Sequence, residues 1–341
     1  MDISVVIVNW NTRKLLLDCL ASIYKTVKNI AMEIWVVDNA SIDDSVETAR
    51  RLYPEVEIIQ NPKNLGFAAA NNKVFKRMRG RYALLLNTDT LLTDGAIERI
   101  YDFMENRPDA GMACGQLLNP DESKQNSIAN FPGLLSLLCN ETILRILLPE
   151  KFPSKRKTFK HPIEVDSCIG ACLLVRKKAM DQVGFFDENY FFFFEETDWA
   201  YRMKKAGWKI FFVPSARIYH FQGQSVGHNI RSRILYYGSR YIYFKKWHPD
   251  HFFLIRLIIF VRLLIDAALN LAGFALTLGL QSGIRKKLKV YIRLIRWHIE
   301  GCPGIHANND ETDAALNSLS RKAENKKDKL ITKASSTAGP A

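Results

Sequence analysis

The chain has 341 residues, 48% of them hydrophobic, and a formal net charge of +13. That length suits one large α/β domain with appendages or two smaller domains, and the apolar content is ample for a core. The charge speaks against a general nucleic-acid surface because it is not spread: residues 231–298 hold 13 Lys/Arg against Asp250 and Asp266, residues 299–341 balance six acids with six bases, and the first 230 residues keep only about +2.

The opening, MDISVVIVNW, reads as a strand with an acid at position 2, not as a positively charged leader. Ile3 to Val8 is a continuous Val/Ile-rich run of the kind found in buried parallel strands. Asn9-Trp10-Asn11-Thr12 breaks it, and Thr12 is placed to cap a helix implied by Leu15, Leu16, Cys19, Leu20 and Ile23. Glu33 to Val37 is a second strand, stopping at Asp38-Asn39-Ala40-Ser41, with a helix around Asp44 to Leu52. Val56 to Ile59 is a third strand, Asn61 to Gly66 a loop, and Phe67 to Met78 helical. The fourth strand, Tyr82 to Leu86, ends in Asn87-Thr88-Asp89, and a helix follows over Ala96 to Met104. Alternation at this spacing builds βαβ units around a parallel sheet.

All four strands end in polar residues: Asn9/Asn11, Asp38/Asn39, Asn61/Asn64 and Asn87/Asp89. An ordinary turn explains any one of them, since Asn, Thr and Asp favour turns. Four in succession point to one ligand at the carboxyl edge of the sheet, where open α/β sheets bind ligands. Asp89 can offer oxygen to a hard divalent cation that holds substrate phosphates. Asp38 is placed like a carboxylate that meets a base or ribose. No G-x-G-x-x-G follows the first strand and no G-x-x-x-x-G-K-[ST] occurs anywhere, which disfavours a Rossmann dehydrogenase and a P-loop enzyme.

Gly111 to Leu118 is a further strand. Asn119 to Pro162, with Pro, Ser and Lys clusters around the apolar piece Leu134 to Leu148, reads as an insertion near the substrate face. Glu164 to Arg176 resumes strand character, with Ile169-Gly170-Ala171-Cys172 where backbone can approach a ligand closely. Lys177 to Val183 is a short helix. In Tyr190 to Met203, YFFFFEETDWAYRM, five aromatics precede Glu195, Glu196 and Asp198, and the helix they open has Trp199 and Met203 on its apolar face. Acids in a first turn stabilise a helix through its dipole; one of them can instead serve as a general base, its pKa raised by burial against the aromatic wall. Ile210 to Val213 is a strand, and His220 stands at a polar strand end before Gln222-Gly223-Gln224-Ser225, where a ligand role is credible. The six cysteines show no paired zinc spacing and read as free thiols of a reducing compartment.

Phe252 to Leu280 is strongly apolar, interrupted by Arg256, Arg262 and Asp266. Its least charged part, Leu263 to Leu280, is at the short end for a membrane span, and Asp266 would be costly in lipid. Arg285 to His298 is basic and amphipathic, with Leu288, Ile292 and Ile295 on one face, and suits an anionic lipid surface. Peripheral membrane contact is the expectation; a packed helical subdomain or an oligomer interface is the alternative. Cys302 to Ala341 is polar and expected to be disordered.

VVIVNWN, VVDNAS, NPKNLGFAAANN, LLLNTDT, GACLLVRKKAMDQVGFFDE, FFFFEETDWAYRMKKAGW and HFQGQS follow one another in this order. Over about residues 3 to 248 the chain thereby resembles glycosyltransferase family 2, in its rhamnosyltransferase-like branch of bacterial surface-polysaccharide synthesis. The resemblance implies a GT-A fold, a three-layer α/β nucleotide-sugar-binding domain with a mostly parallel sheet over residues 1–230, then a helical membrane-proximal extension (231–300) and a tail (301–341). It implies inverting transfer from a nucleotide-sugar donor to a hydroxyl of a polyprenyl-diphosphate-linked or growing glycan, helped by Mn2+ or Mg2+. The branch points to dTDP-L-rhamnose, with UDP-hexoses as the alternative. Asn87-Thr88-Asp89 stands where the family has Asp-x-Asp, with Asp89 as metal ligand, Asn in the first position, and His220 joining the metal. Asp38 falls at the nucleobase position, and Asn9, Asn11, Asn39, Asn64, Gly66 and Asn71 line the nucleotide with Asn87 and Thr88. Glu195-Glu196 matches a Glu-Asp pair whose second member is the usual base, so Glu196 is the expected base, with Glu195 and Asp198 in reserve. Gly170, Ala171 and Trp199 are expected on the sugar and acceptor side. The implied enzyme is cytoplasmic, peripheral on the inner membrane face and without a nucleic-acid partner, its oligomeric state open. The rival is a non-catalytic scaffold that binds sugar nucleotides or glycans; the joint presence of Asp89, Glu195-Glu196 and His220 weighs against it.

Overall fold

The computed structural model describes residues 1–138, 144, 146–148, 158–221, 230–278 and 280–303. The expected tail beyond residue 303, Gln222–Ser225 and most of 139–157 lie outside the described residues. Eleven strands are present among them: β1 (Ile3–Asn9), β2 (Met32–Asp38), β3 (Glu57–Gln60), β4 (Tyr82–Asn87), β5 (Thr90–Leu92), β6 (Ala110–Leu118), β7 (Ile128–Ala129), β8 (Ile163–Val165), β9 (Ser167–Cys168), β10 (Cys172–Arg176) and β11 (Lys209–His220). The helices are α1 (Arg13–Thr26), α2 (Ser45–Leu52), α3 (Gly66–Phe75), α4 (Ala96–Glu105), α5 (Leu134–Leu138), α6 (Lys177–Val183), α7 (Glu195–Lys205), α8 (Ile230–Trp247), α9 (Phe252–Leu276) and α10 (Ser282–Ile299).

The main sheet runs β3-β2-β1-β4-β10-β6-β11-β5, with β8 also on β11. Six strands point one way, and β5, β8 and β10 oppose them. The first half repeats the 3-2-1-4 order of doubly wound sheets. Successive side chains of a strand leave opposite faces, and the sequence uses both. Val5, Ile7, Leu84 and Leu86 join Leu16 and Leu20 of α1 and Ile100 of α4 in one core. Val6, Ala83, Leu85 and Leu173 join Val74 of α3, Met180 of α6 and Met203 of α7 in the other. The result is three layers, with the sheet in the middle.

One strand differs from its sequence expectation. β11 is 12 residues long, not four; its pairing to β6 shifts register between Val213 and Arg217, around Pro214. Proline cannot donate to a ladder, so a sequence reading stops there; the chain bulges and continues, and the continuation brings His220 opposite Thr90. In α10 the buried side chains are Leu294, Trp297 and His298, while Ile292 is exposed and Leu288 and Ile295 are half-buried. The packed side of α10 is thus that of Leu294, Trp297 and His298.

The three C-terminal helices pack against the aromatic run before α7. Tyr190, Phe194, Tyr243, Phe244, Ile255 and Trp297 share a third core. No helix among the described residues is long and apolar enough to cross a membrane.

Candidate active site

The four polar strand ends sit side by side, because β3, β2, β1 and β4 are neighbours: Asn9 is level with Asp38, Val8 with Asn87, and Asp38 with Gln60. Their side chains are largely spent on one another. Asn9 Nδ2 donates to Asp38 Oδ1 (2.8 Å) and Ser41 Oγ (3.0 Å). The Ser41 N–H donates to Asp38 Oδ2 (2.9 Å), and Asn11 Oδ1 accepts from the Ile42 N–H (2.8 Å). Asn39 Oδ1 accepts from Asn61 Nδ2 (2.8 Å) while its Nδ2 donates to the Gly66 carbonyl (3.2 Å). Thr12 does not cap α1 with its side chain; its hydroxyl donates to Asn9 Oδ1 (2.8 Å) and meets Thr88 Oγ1 (3.0 Å). Buried polar groups of this kind must be paired, and the pairing fixes the shape of the edge.

That edge borders a cleft with about 800 Å³ of open space, lined by Asn39, Asn64, Gly66, Asn87 and Thr88 among the expected residues. Its remaining wall is Trp10, Phe67, Phe191, Phe192, Arg231 and Leu235, with Val8, Thr12 and Ser232. Asn9, Asn11, Asp38, Asn71 and Asp89 are not in the lining, nor are His220, Glu195, Glu196, Gly170 and Ala171; Asn71 is fully buried and its Nδ2 donates to Phe67 O (2.8 Å) within α3. The expected division at residue 230 therefore passes through the cleft wall, since α8 supplies Arg231, Ser232 and Leu235. Gly66 lets the aromatic segment close: at φ +82° its Phe67 neighbour donates to Phe191 O (2.8 Å), and a Cβ at Gly66 would meet that oxygen at 2.4 Å.

Asp89 follows β4 in the turn to β5. Its side chain is 1% exposed, and neither carboxylate oxygen has a hydrogen-bond donor. The Phe221 N–H bonds to Asp89 O (2.8 Å), which locks the end of β11 beside the turn and sets His220 Nε2 3.5 Å from Asp89 Oδ1. A buried carboxylate without donors is expensive. An orphaned carboxylate and an imidazole nitrogen are donors a divalent cation accepts, so the pair fits one in part; among the described residues no group of three or more His, Cys, Asp or Glu side chains could hold a metal.

Next to Phe191 and Phe192 of the cleft wall, Phe193 and Phe194 both hold left-handed φ angles, 71° and 70°. Each costs about 1–2 kcal/mol in a residue with a Cβ. The cost is offset by α8: Ser239 Oγ donates to Phe192 O (2.8 Å), and the Tyr236 ring packs on both phenylalanines. This bend delivers Glu195 and Glu196 to the start of α7. Burial, then the neighbouring Glu196 charge, raises the Glu195 carboxyl well above its ordinary value; its Oε2 has no hydrogen-bond partner. Glu196 is half-buried and pushed up to about 7 by desolvation. A Cβ on Gly170 would lie 3.7 Å from Glu196 Cγ, so the structure brings the Gly170 turn onto this carboxylate. Ala171 is buried beside it, its carbonyl taken by the Asn87 N–H (3.0 Å).

Two expectations are corrected here. Trp199 does not face the cleft: it is 0% exposed, stacks on Phe75 and donates its indole N–H to Gly184 O (2.8 Å). Asp198 is no reserve base. It is fully buried and bonded to Arg202 Nε (2.9 Å), Trp247 Nε1 (2.8 Å) and Lys246 Nζ (3.1 Å), which ties α7 to α8. Removing one partner of a buried ion pair costs about 3–5 kcal/mol. Arg202 and Lys246 can reach water, so Asp198→Ala is expected at the low end, about 3 kcal/mol less stable by urea unfolding. A loss under 1 kcal/mol would show that the cluster does not brace the helix.

Missed by the sequence were Trp10, the phenylalanine pair of the lining and the α8 wall. Trp10 lies inside the first polar break and was open to discovery; nothing local marks Arg231 or Leu235 as facing β1.

The order of the sheet and the cleft at its carboxyl edge give a GT-A-like α/β architecture. The crystal structure of GalNAc-T7 with UDP, GalNAc and Mn2+ shares the fold, with a TM-score of 0.50, 17% identity and coverage of 64% of this chain; the chain spans 44% of that one. The sequence profile of glycosyl transferase family 2 matches residues 4–184, and the chain belongs to that family: it is a glycosyltransferase. It is 30% identical over 233 residues to the N-acetylglucosaminyl-diphospho-decaprenol L-rhamnosyltransferase of Mycobacterium tuberculosis, covering 64% of this chain and 76% of the relative. It is 23% identical over 208 residues to the low-salt glycan biosynthesis hexosyltransferase Agl10 of Haloferax volcanii, covering 60% and 62%.

Proposed function

We propose that the protein transfers L-rhamnose, with inversion, from dTDP-L-rhamnose to a hydroxyl of a polyprenyl-diphosphate-linked glycan. The observation that carries this reading is Asp89: a buried carboxylate with no donor, beside His220, directly after Asn87 and Thr88 of the cleft wall. The mycobacterial relative, named for rhamnose transfer to a diphospho-decaprenol-linked sugar, supports the donor and acceptor classes. Asp89 and His220 would hold Mn2+ or Mg2+, which when bound supplies neutralisation of the departing diphosphate.

The chain's own residues do the rest. Asn39, Asn64, Gly66, Asn87 and Thr88 hold the nucleotide against the aromatic wall. Glu196 accepts the proton of the acceptor hydroxyl, which a carboxyl titrating near 7 does well at neutral pH. Burial and the neighbouring Glu196 charge raise the Glu195 carboxyl, which disfavours two charges side by side at the start of α7. A thermal-shift panel of dTDP, UDP and GDP with and without Mn2+ or Mg2+ tests the reading. Metal-dependent stabilisation by dTDP supports it, stabilisation by UDP moves the donor to a hexose, and no shift with any nucleotide removes it.

An acceptor of that class supports a place on the inner membrane face. α9 buries Ile255, Ile259 and Leu263 and leaves Phe253, Leu257, Ile265 and Leu269 exposed. The exposed Arg262 donates from Nη1 to Leu137 O (3.0 Å). Beside it, α10 exposes Arg285, Lys286, Lys287 and Lys289. An apolar stripe next to a basic one suits anionic lipid, at about 1 kcal/mol per cation near the surface. The triple change Lys286→Glu, Lys287→Glu and Lys289→Glu is therefore expected to lower binding to phosphatidylglycerol vesicles at least tenfold. Unchanged co-sedimentation would favour a packed subdomain or a subunit interface.

A further inference from the structure

Gln125, in the segment that follows β6, brackets His220. Its Nε2 donates to Asn119 Oδ1 (2.7 Å) and to the carbonyl of His220 itself (2.5 Å). Asn119 Oδ1 can only accept, because the Nδ2 of the same amide donates to Ser123 Oγ (2.8 Å). The direction of the Gln125 amide is thereby fixed, and Oε1 is the atom that faces His220 Nδ1 at 2.9 Å. An amide oxygen accepts, so Nδ1 carries the ring proton. In the neutral imidazole Nε2 then presents its lone pair, and Nε2 is the nitrogen that faces Asp89. Backbone bonds hold the bracket in place: the Gln125 N–H donates to Leu117 O (2.8 Å) and the Asn119 N–H to Ser123 O (2.8 Å). Both Gln125 and His220 are buried, so water is a poor substitute for the amide.

We infer that Gln125 is a positioning residue that sets the tautomer and ring plane of His220, so that the Nε2 lone pair and the Asp89 carboxylate converge on one divalent cation. The inference rests on the reading of Asp89 and His220 as the cation's holders. It gives the stretch after β6 a definite task, and it explains why a glutamine is buried among β6, β11 and the turn. Partners that orient a ligating histidine typically cost 10–100-fold in metal affinity when removed.

The test uses the full chain, metal-free and 15N-histidine-labelled. Long-range 1H–15N spectra, assigned with His220→Ala, report which nitrogen of His220 carries the proton. Mn2+ titration followed by electron paramagnetic resonance reports affinity. The wild type is expected in the Nδ1–H form and to bind Mn2+. Gln125→Met is expected to mix the tautomers and weaken Mn2+ by about 10–100-fold, whereas Gln125→Glu keeps an acceptor at Nδ1 and is expected to keep the Nδ1–H form, although its other oxygen loses the donation to Asn119 and to the His220 carbonyl. An Nε2–H form in the wild type, or equal Mn2+ affinity in wild type and Gln125→Met, overturns the role of Gln125 alone. A wild type with the Nδ1–H form that binds no Mn2+ overturns the cation reading and the inference with it. Should Gln125→Met not fold, the tautomers of His220 in the wild type and in Gln125→Glu still decide.

Discussion

Glu196→Gln is expected to lower transfer by about 10²–10⁴-fold, the usual contribution of a general base, while the protein becomes as stable as the wild type or more so near pH 8. The two effects share a cause. Desolvation raises the Glu196 carboxyl to about 7 from an ordinary 4.5. The folded chain thus holds that proton more tightly than the unfolded chain. The resulting stability is fully present below about pH 4.5 and is lost as pH rises through about 7. At alkaline pH the wild type carries a half-buried charge that the neutral glutamine avoids. Activity runs the other way, since the base must be ionised: kcat/KM is expected to climb with pH through about 7 in the wild type. The measurement is transfer rate and thermal midpoint for both proteins across pH 5–9. A variant that keeps its rate, or that loses both rate and fold together, would remove Glu196 from the role of base.

Asp89→Ala should abolish the metal-dependent stabilisation by nucleotide and reduce transfer by on the order of 10²–10³-fold, the scale for losing one preorganised electrostatic group. At nucleotide a hundredfold above its Kd the lost stabilisation would be about 2.7 kcal/mol. Without metal and nucleotide the expectation reverses. Both Asp89 oxygens are buried with no donor, so the isosteric Asp89→Asn should be no less stable than the wild type when metal-free. A substitution that destabilises the empty protein yet leaves the nucleotide shift intact would make Asp89 a structural residue of the turn.

The legible parts of the site are those whose signal is local. The strand ends Asn9, Asp38, Asn61 and Asn87 each interrupt an apolar run, and the order of βαβ units makes their strands neighbours. The acid pair was legible because Glu195 and Glu196 follow an aromatic run that no solvated face would carry. The helical period already set Trp199 and Met203 on an apolar face, and the structure buries Trp199 there, so a place beside the sugar conflicted with the residue's own periodicity. Asp198 could not be told from its neighbours by sequence, because its partners Lys246 and Trp247 lie 48 and 49 residues away.

By itself, the sequence determined the α/β class, the polar carboxyl edge and the acid pair, because alternation of apolar runs and breaks is a property of each element alone. Tertiary structure alone decided what faces what. It carried β11 past Pro214 to set His220 beside Asp89, brought Gln125 onto the imidazole, and laid α8 along the cleft, where it braces the strained Phe193-Phe194 bend. Periodicity reports which side of an element avoids water. It carries no information on which distant element covers that side, because apolar burial rewards any complementary surface alike.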